Sequence, residues 1–118
     1  MRRQIWLQVI SVKESPITFR FLDTANDYAN EHVIGDALEE LFAEGVVKRE
    51  ELFIQCKLWN TNHRKEHVKQ DLLDTLADLK LDYVDSFVIH WPQAVPSNGK
   101  HCVKRSGKVT KVSSLKFF

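Results

Sequence analysis

The sequence is poor in the residues and runs that mark several classes of protein. Only two of its 118 residues are cysteine, which is too few for a disulfide framework. No run of about 18 apolar residues occurs, so no transmembrane helix is expected. Glycine is also scarce, with four residues, and no glycine-rich phosphate-binding loop is present. These absences favour a single domain in a reducing compartment, and we expect a cytoplasmic protein that does not contact membranes.

Acidic residues are absent from the last part of the chain. Between Ala94 and Phe118 there are six basic residues and no acidic one. A basic segment of this kind can bind nucleic acid or an acidic membrane surface, but a solvated disordered segment is the simpler interpretation. We therefore predict a disordered basic tail over residues 97–118 and no partnership with nucleic acid.

The middle of the chain alternates short β-rich runs with segments of helical periodicity. Strands are predicted at residues 18–23, 52–59 and 83–90, and helices at residues 31–44 and 65–79. Asn30 is the predicted N-cap of the first helix, and Gly45 follows its end. The strand at 52–59 is apolar enough to predict burial on both faces. This order implies an α/β fold with parallel strands joined by right-handed crossovers.

The two ends of the chain lack this alternation. Residues 1–17 show no sustained period, and Pro16 interrupts any strand or helix drawn there. After residue 96 the periodicity disappears again. The predicted division is a divergent amino-terminal segment at 1–17, an α/β domain at 18–96 and the basic tail at 97–118.

Each predicted strand has an ionisable side chain at or near its end, namely Asp23, Lys57 and His90. Because the carboxyl ends of parallel strands share one edge of a sheet, we expect these groups to converge. Tyr28 lies five residues after Asp23, in the loop above the same edge. Taken singly, Lys57 is a snorkelling lysine, Tyr28 a loop residue and His90 a core histidine. The set of four, however, has a chemical logic.

The four side chains suit delivery of a proton to a carbonyl oxygen. A phenol has an ordinary pKa of about 10 and is a poor proton donor at neutral pH. A neighbouring ammonium favours the phenolate, so Lys57 is expected to help Tyr28 release its proton. Asp23 would keep Lys57 charged and in place. His90 can donate a hydrogen bond to a substrate oxygen and fix its direction.

The spacing of these residues and the words around them resemble the catalytic tetrad of the aldo-keto reductases. Lys57 follows Tyr28 by 29 residues, and His90 follows Lys57 by 33. The matching words are Leu22-Asp23-Thr24-Ala25, Lys48-Arg49-Glu50-Glu51-Leu52-Phe53-Ile54, Lys57-Leu58-Trp59, Leu79-Lys80-Leu81-Asp82-Tyr83 and Ile89-His90-Trp91-Pro92. The resemblance covers about residues 19–92.

The resemblance implies a role for each member of the set. In that family the tyrosine is the general acid, the lysine and aspartate tune it, the histidine orients the carbonyl, and NADPH supplies the hydride. Matched by position, the catalytic residues are Tyr28, Lys57, Asp23 and His90. Asp23 also resembles a residue close to the nicotinamide ribose, which implies a cofactor contact.

The resemblance also implies a pocket for a small aldehyde or ketone. His90, Trp59 and Trp91 are the residues that match the family's substrate-binding positions. For each tryptophan, ordinary packing near the sheet edge is an equally good interpretation.

The family fold is a TIM barrel of eight strands and about 250 residues. This sequence supplies about three strands and two crossover helices, so the resemblance implies a truncated, partial (β/α)8 barrel that lacks most of the cofactor site. Exposed strand edges of such a sheet predict marginal stability or self-association. Two functions stay open: an NADPH-dependent carbonyl reductase, or a catalytically inert fragment that acts, if at all, by binding a partner.

One short motif resembles part of a zinc site. Residues 63–67 fit the H-x-x-E-H pattern of a class of zinc peptidases. That class takes a further ligand, usually a carboxylate, from later in the chain, and no acidic residue follows Asp85. The sequence therefore predicts a solvated helix start and no metal site.

Overall fold

A computed structural model describes residues 20–96 of the chain. The strands are β1 (Phe21–Asp23), β2 (Phe53–Leu58) and β3 (Ser86–Ile89), and the helices are α1 (Glu31–Ala43) and α2 (Lys65–Leu79). Short 3-10 helices at Asn26–Tyr28, Arg49–Glu51 and Asn60–Asn62 lie in the connections. The predicted alternation of three strands and two helices is confirmed. The predicted segment at 1–17 and the predicted disordered tail at 97–118 lie outside the described residues.

The three strands form one parallel sheet in the order β1-β2-β3. Asp23 pairs with Gln55 between β1 and β2, and Lys57 pairs with Val88 between β2 and β3. Parallel neighbours need a crossover connection, and each connection here contains one helix. The carboxyl ends of the three strands and the loops that follow them therefore lie along one edge of the sheet, which we call the rim.

The hydrophobic core lies between the helices and one face of the sheet. Its buried members are Ile34, Leu38, Val47, Leu52, Ile54, Cys56, Leu76, Leu79 and Leu81. Burial alternates along β2, where Ile54, Cys56 and Leu58 are buried and the residues between them are not. This period of two is what a strand shows when a single face is covered.

The prediction that the central strand is buried on both faces is wrong. Phe53 is 45% exposed, and Gln55 and Lys57 are only partly buried. Both helices pack on the opposite face, and within residues 20–96 no helix or strand packs on this one. We call it the inner face; its residues are Phe21, Asp23, Phe53, Gln55, Lys57, Ser86 and Val88.

Three predicted details of the elements differ from the structure. Helix α1 ends at Ala43, one residue early, and Asn30 is its N-cap but makes no side-chain capping bond. Strand β3 is shorter than predicted, and Arg49 contacts the residues before it. The Arg49 guanidinium donates to the Tyr83 carbonyl at 3.0 Å and to Asp85 Oδ2 at 2.8 Å. The Ile54 N–H also donates to Asp85 Oδ2 at 2.8 Å instead of to a backbone carbonyl, and pairing with β2 begins at the Asp85 N–H, which donates to the Ile54 carbonyl.

Both helices end in a residue with left-handed backbone. Gly45 follows α1 with φ 67°, and its N–H donates to the Phe42 carbonyl. Lys80 follows α2 with φ 56°, which costs a side-chain-bearing residue about 1 kcal/mol. The Lys80 ammonium reaches Asp36 at 2.8 Å and Glu39 at 2.6 Å on α1. Glycine marked the first helix end in the sequence, whereas nothing local marked the second.

Gly35 of α1 lies against the backbone of α2, with no room for a side chain. A Cβ there would meet the Asp78 carbonyl oxygen and lie 2.8 Å from the Leu79 carbonyl carbon. We expect Gly35→Ala to lower the free energy of unfolding by about 1–3 kcal/mol, because backbone atoms of α2 must move. Urea denaturation followed by circular dichroism measures the change.

The matched control is Glu40→Ala on the exposed side of α1. Its free energy of unfolding should stay within about 0.5 kcal/mol of the wild-type value. Equal stability of Gly35→Ala and the wild type would contradict the close approach of the two helices.

Candidate active site

The structure brings together the four side chains that the sequence singled out. Asp23 ends β1, Lys57 lies one residue before the end of β2, and His90 follows β3. Tyr28 ends the 3-10 helix that follows β1. Lys57 Nζ lies 2.7 Å from Asp23 Oδ1 and 3.3 Å from the Tyr28 hydroxyl oxygen. The rings of Tyr28 and His90 meet edge to face with their centroids 5.8 Å apart.

Lys57 is the centre of this cluster. Its ammonium donates to Asp23, to the Tyr28 hydroxyl oxygen and, at 3.1 Å, to the Thr24 carbonyl. An ammonium has three N–H donors, so all of them are used. Burial acts to lower the pKa of Lys57, but the hydrogen bonds to Asp23 and Tyr28 outweigh it and raise that pKa above its ordinary value. Lys57 is therefore a fixed positive charge at neutral pH.

Asp23 is the matching negative charge. Burial acts to raise the pKa of its carboxyl, but hydrogen bonds from Lys57 and Gln55 outweigh that effect and hold the pKa below its ordinary value. The side chain is 42% exposed, so one side of the carboxylate faces away from the protein interior. The site thus contains a carboxylate and an ammonium in contact, with a phenol on the far side of the ammonium.

Aromatic rings surround His90. The Trp59 ring lies 5.4 Å away between centroids at 69°, and the Trp91 ring lies 5.7 Å away and nearly parallel. Trp91 is 57% exposed. The two tryptophans predicted to line a substrate pocket are therefore beside the histidine; that they contact a substrate stays a prediction.

A buried carboxylate behind the rim escaped the sequence analysis. Asp71 of α2 is 2% exposed and accepts hydrogen bonds from Asn62 Nδ2 at 2.7 Å, Asn26 Nδ2 at 3.2 Å and the Trp59 backbone N–H at 3.4 Å. Asn26 begins the 3-10 helix that ends at Tyr28. Asp71 therefore ties the loop after β1 to the loop after β2. The signal in the sequence was an acidic residue three positions after Val68, on the side of the helix that faces the core.

The remaining candidates do not form a second site. Burial raises the pKa of the Cys56 thiol, and this residue belongs to the hydrophobic core. Across residues 20–96 there is no group of three or more histidine, cysteine or acidic side chains placed to hold a metal ion. Within residues 20–96, the candidate catalytic side chains are therefore those at the rim.

Comparison with known proteins identifies the family. The sequence model of the aldo/keto reductase family matches residues 17–108. The chain belongs to this family. This chain is 54% identical over 76 residues to the NADH-dependent D-xylose reductase of Candida parapsilosis, a match that covers 64% of the chain. It is 51% identical over 79 residues, or 66% of the chain, to aldo-keto reductase family 1 member A1 of Gallus gallus. It spans about a quarter of the length of these relatives, 24% of each.

Solved structures of aldose reductases share the fold of this chain over the part that it spans. The enzyme of Giardia lamblia superposes with a TM-score of 0.72 at 37% identity, covering 83% of this chain and 32% of that one. The enzyme of Schistosoma japonicum gives a TM-score of 0.66 at 45% identity, covering 70% and 27%. The predicted fold class, a partial TIM barrel, is confirmed.

The shifted pKa values of Asp23 and Lys57 predict the pH range over which their ion pair stabilises the fold. The pKa of Asp23 is lowered from 3.8, so its contribution is present above that pH and is lost as pH falls through the folded-state value. The pKa of Lys57 is raised from 10.5, so its contribution is present below that pH and is lost as pH rises through the folded-state value. We expect Lys57→Met to destabilise by a constant amount between these limits and by less outside them.

Urea denaturation at a series of pH values measures this difference. The control is Lys69→Met, which changes an exposed lysine of α2 and should alter the free energy of unfolding by no more than about 0.5 kcal/mol. A destabilisation by Lys57→Met that is the same at every pH would contradict the ion pair.

Asp71 yields a second prediction for the rim. Asp71→Asn replaces a charged acceptor of several hydrogen bonds with an amide that donates on one side. We expect a loss of about 1–3 kcal/mol in the free energy of unfolding, because buried donors lose their acceptor. The matched control is Asp74→Asn on the same helix, where the aspartate accepts an exposed hydrogen bond from Gln70. Losses of similar size in the two variants would show that Asp71 has no special role in holding the loops.

Proposed function

We propose that this chain carries the proton-transfer site of an aldo/keto reductase that uses a reduced nicotinamide dinucleotide to convert an aldehyde or ketone to an alcohol. The observation that carries the proposal is the contact of the Lys57 ammonium with both Asp23 and Tyr28 at the rim, beside His90. Membership of the family supports it. Similarity to proteins named as D-xylose and aldose reductases supports a small aldehyde or sugar as the substrate.

Tyr28 is the proton donor in this proposal. Its hydroxyl oxygen accepts a hydrogen bond from Lys57, which leaves the hydroxyl proton free to face a substrate oxygen. As the proton leaves, negative charge grows on the phenol oxygen 3.3 Å from a fixed ammonium. The attraction between these charges lowers the barrier to transfer. Asp23 holds the ammonium in position and balances its charge.

His90 orients the carbonyl. An imidazole N–H can donate to the carbonyl oxygen while the ring stays fixed among Tyr28, Trp59 and Trp91. The two indoles also displace water from the mouth of the site, which strengthens the electrostatic interactions inside it. Trp59, Trp91 and His90 are thus the proposed substrate-binding residues.

The donor set at the rim fits one end of the cofactor. A bound reduced nicotinamide would supply the hydride, and the partly exposed Asp23 carboxylate can accept a hydrogen bond from a ribose hydroxyl. The phosphate end finds no glycine-rich loop among residues 20–96, where Gly35 and Gly45 lie within and just after α1. NADPH is the form that the resemblance implies. One relative is named NADH-dependent and another, from Candida tenuis, NAD(P)H-dependent, so both forms belong in the test.

Binding without catalysis is the second candidate. The inner face exposes Phe21, Phe53 and Val88, which is the kind of apolar surface that packs against another chain. Strands β1 and β3 each have one neighbour in the described sheet, so each has an edge open to pairing. Self-association through these edges is the proposed form of such an interaction, and sedimentation equilibrium over a range of concentrations measures it.

The cytoplasm is the proposed location. Cys56 is a free thiol in the core, and two cysteines are too few for the disulfide framework that is typical of proteins in oxidising compartments. Between residues 20 and 96, neither helix has the length and apolar character that crossing a bilayer requires.

Cofactor titration tests the proposed function. We expect NADPH or NADH fluorescence to change in a saturable way as the chain is added, and a small aldehyde such as D-xylose to oxidise the bound cofactor. Tyr28→Phe should keep cofactor binding and lower the oxidation rate by about 10²–10⁴-fold, because the proton donor is lost.

The matched control is Tyr83→Phe, since Tyr83 lies before β3, at the other end of the sheet from the rim, and keeps its ring contact with Arg49. This variant should oxidise the cofactor at the wild-type rate. No change in fluorescence with either cofactor, up to the highest soluble protein concentration, would overturn catalysis and favour the binding function.

A further inference from the structure

A hydrogen-bonded row of polar side chains crosses the inner face and ends at Asp23, the carboxylate of the ion pair. Ser86 Oγ donates to Gln55 Oε1 at 3.1 Å, and Gln55 Nε2 donates to Asp23 Oδ1 at 3.0 Å. The three residues come from β3, β2 and β1 and are register partners across the sheet. The strand pairing itself therefore brings them side by side. Neither Gln55 nor Ser86 was singled out from the sequence.

The two bonds of Gln55 fix the direction of its amide. A carboxylate accepts hydrogen bonds and donates none, so the NH2 end of the amide must face Asp23. The carbonyl end must then face Ser86, where it finds a hydroxyl donor. Rotating the amide by half a turn would place its oxygen against the Asp23 carboxylate, which is repulsive. Glutamine is thus a side chain that can link this hydroxyl to this carboxylate.

Gln55 and Lys57 use the same oxygen of Asp23. Oδ1 accepts from Lys57 at 2.7 Å and from Gln55 at 3.0 Å. Within residues 20–96, Oδ2 has no hydrogen-bond partner, and the side chain is 42% exposed. Two donors on one oxygen prevent the carboxylate from rotating, so the same oxygen stays with the lysine and the other stays open.

We infer that Gln55, oriented by Ser86, is a positioning residue that holds Asp23 Oδ1 on Lys57 and leaves Oδ2 to accept a hydrogen bond from a hydroxyl group of the cofactor. The inference rests on the proposed function, because that function supplies the hydroxyl. Gln55 contacts no reacting atom and acts through Asp23. The Gln55 hydrogen bond is one of the causes that hold the Asp23 pKa low, which agrees with this role.

Carboxyl titration by NMR tests the positioning role on the full chain without any ligand. In the wild type, the side-chain amide signals of Gln55 should shift with the same midpoint as the Asp23 carboxyl carbon. Gln55→Leu should raise the pKa of Asp23, because a donor to the charged form is lost. Ser86→Ala should raise that pKa by less, because Gln55 can still donate to Asp23 and loses only the hydrogen bond from Ser86 that orients its amide.

The matched control is Gln70→Leu. Gln70 donates to Asp74 at 2.8 Å on the exposed side of α2, so the change removes a bond of the same kind far from the rim. It should leave the pKa of Asp23 unchanged. Gln55 amide signals that do not respond to the Asp23 titration in the wild type would overturn the inference, even if Gln55→Leu does not fold. An unchanged Asp23 pKa in a folded Gln55→Leu chain would do the same.

Parallel titrations with NADPH separate this inference from the proposed function. If the wild type binds NADPH, Gln55→Leu should weaken the Kd by about threefold to tenfold, the effect of one misplaced hydrogen bond, and Gln70→Leu should leave it unchanged. An unchanged Kd in Gln55→Leu would overturn the assignment of Oδ2 to the cofactor. If the wild type does not bind, the proposed function and the Oδ2 assignment both fail, and the Asp23 titration still decides whether Gln55 positions the carboxylate.

Discussion

The need to satisfy one ammonium group shapes this structure. Lys57 lies on a strand whose other face belongs to the hydrophobic core, and its side chain is only 12% exposed. A charge in such a place is costly unless acceptors surround it. All three acceptors, Asp23, Thr24 and Tyr28, come from β1 and the loop directly after it. The loop therefore has to fold over the end of β2, and the phenol reaches the ammonium as a result.

Two supports of different kinds hold the rim in place. On the helix side, Asp71 binds backbone and side-chain donors from the loops that carry Tyr28 and Trp59, so it fixes where those loops lie. On the inner face, Gln55 fixes the rotation of a single carboxylate. The first support concerns the path of the chain and the second the orientation of one group. Reactive side chains need both, because position and direction are separate requirements.

The sequence predicted what depends on local pattern and missed what depends on distant contacts. Helix α2 was placed correctly at both ends because the period of its apolar residues lies in one continuous stretch. Convergence of Asp23, Lys57 and His90 followed from the parallel order of the strands, and Tyr28 was placed beside them by its short distance in sequence from Asp23. The open inner face was missed because the apolar residues of β2 do not themselves show whether another element packs on both faces of the strand. The link from Ser86 through Gln55 to Asp23 joins three strands, and no short window of sequence contains it.

The inner face changes character from one end of the strands to the other. At the start of β1 and β2 the rings of Phe21 and Phe53 stack 5.4 Å apart. One level up lies the hydrogen-bonded row of Asp23, Gln55 and Ser86, and Lys57 lies at the level above it. Any wall that closes against this surface, whether folded from further chain or offered by another molecule, must therefore be apolar at its base, polar at the level of the row, and mixed where Lys57 lies beside Val88. A uniformly apolar wall would remove water from the row without replacing its hydrogen bonds. A uniformly polar wall would leave the stacked rings of Phe21 and Phe53 in contact with polar groups or water.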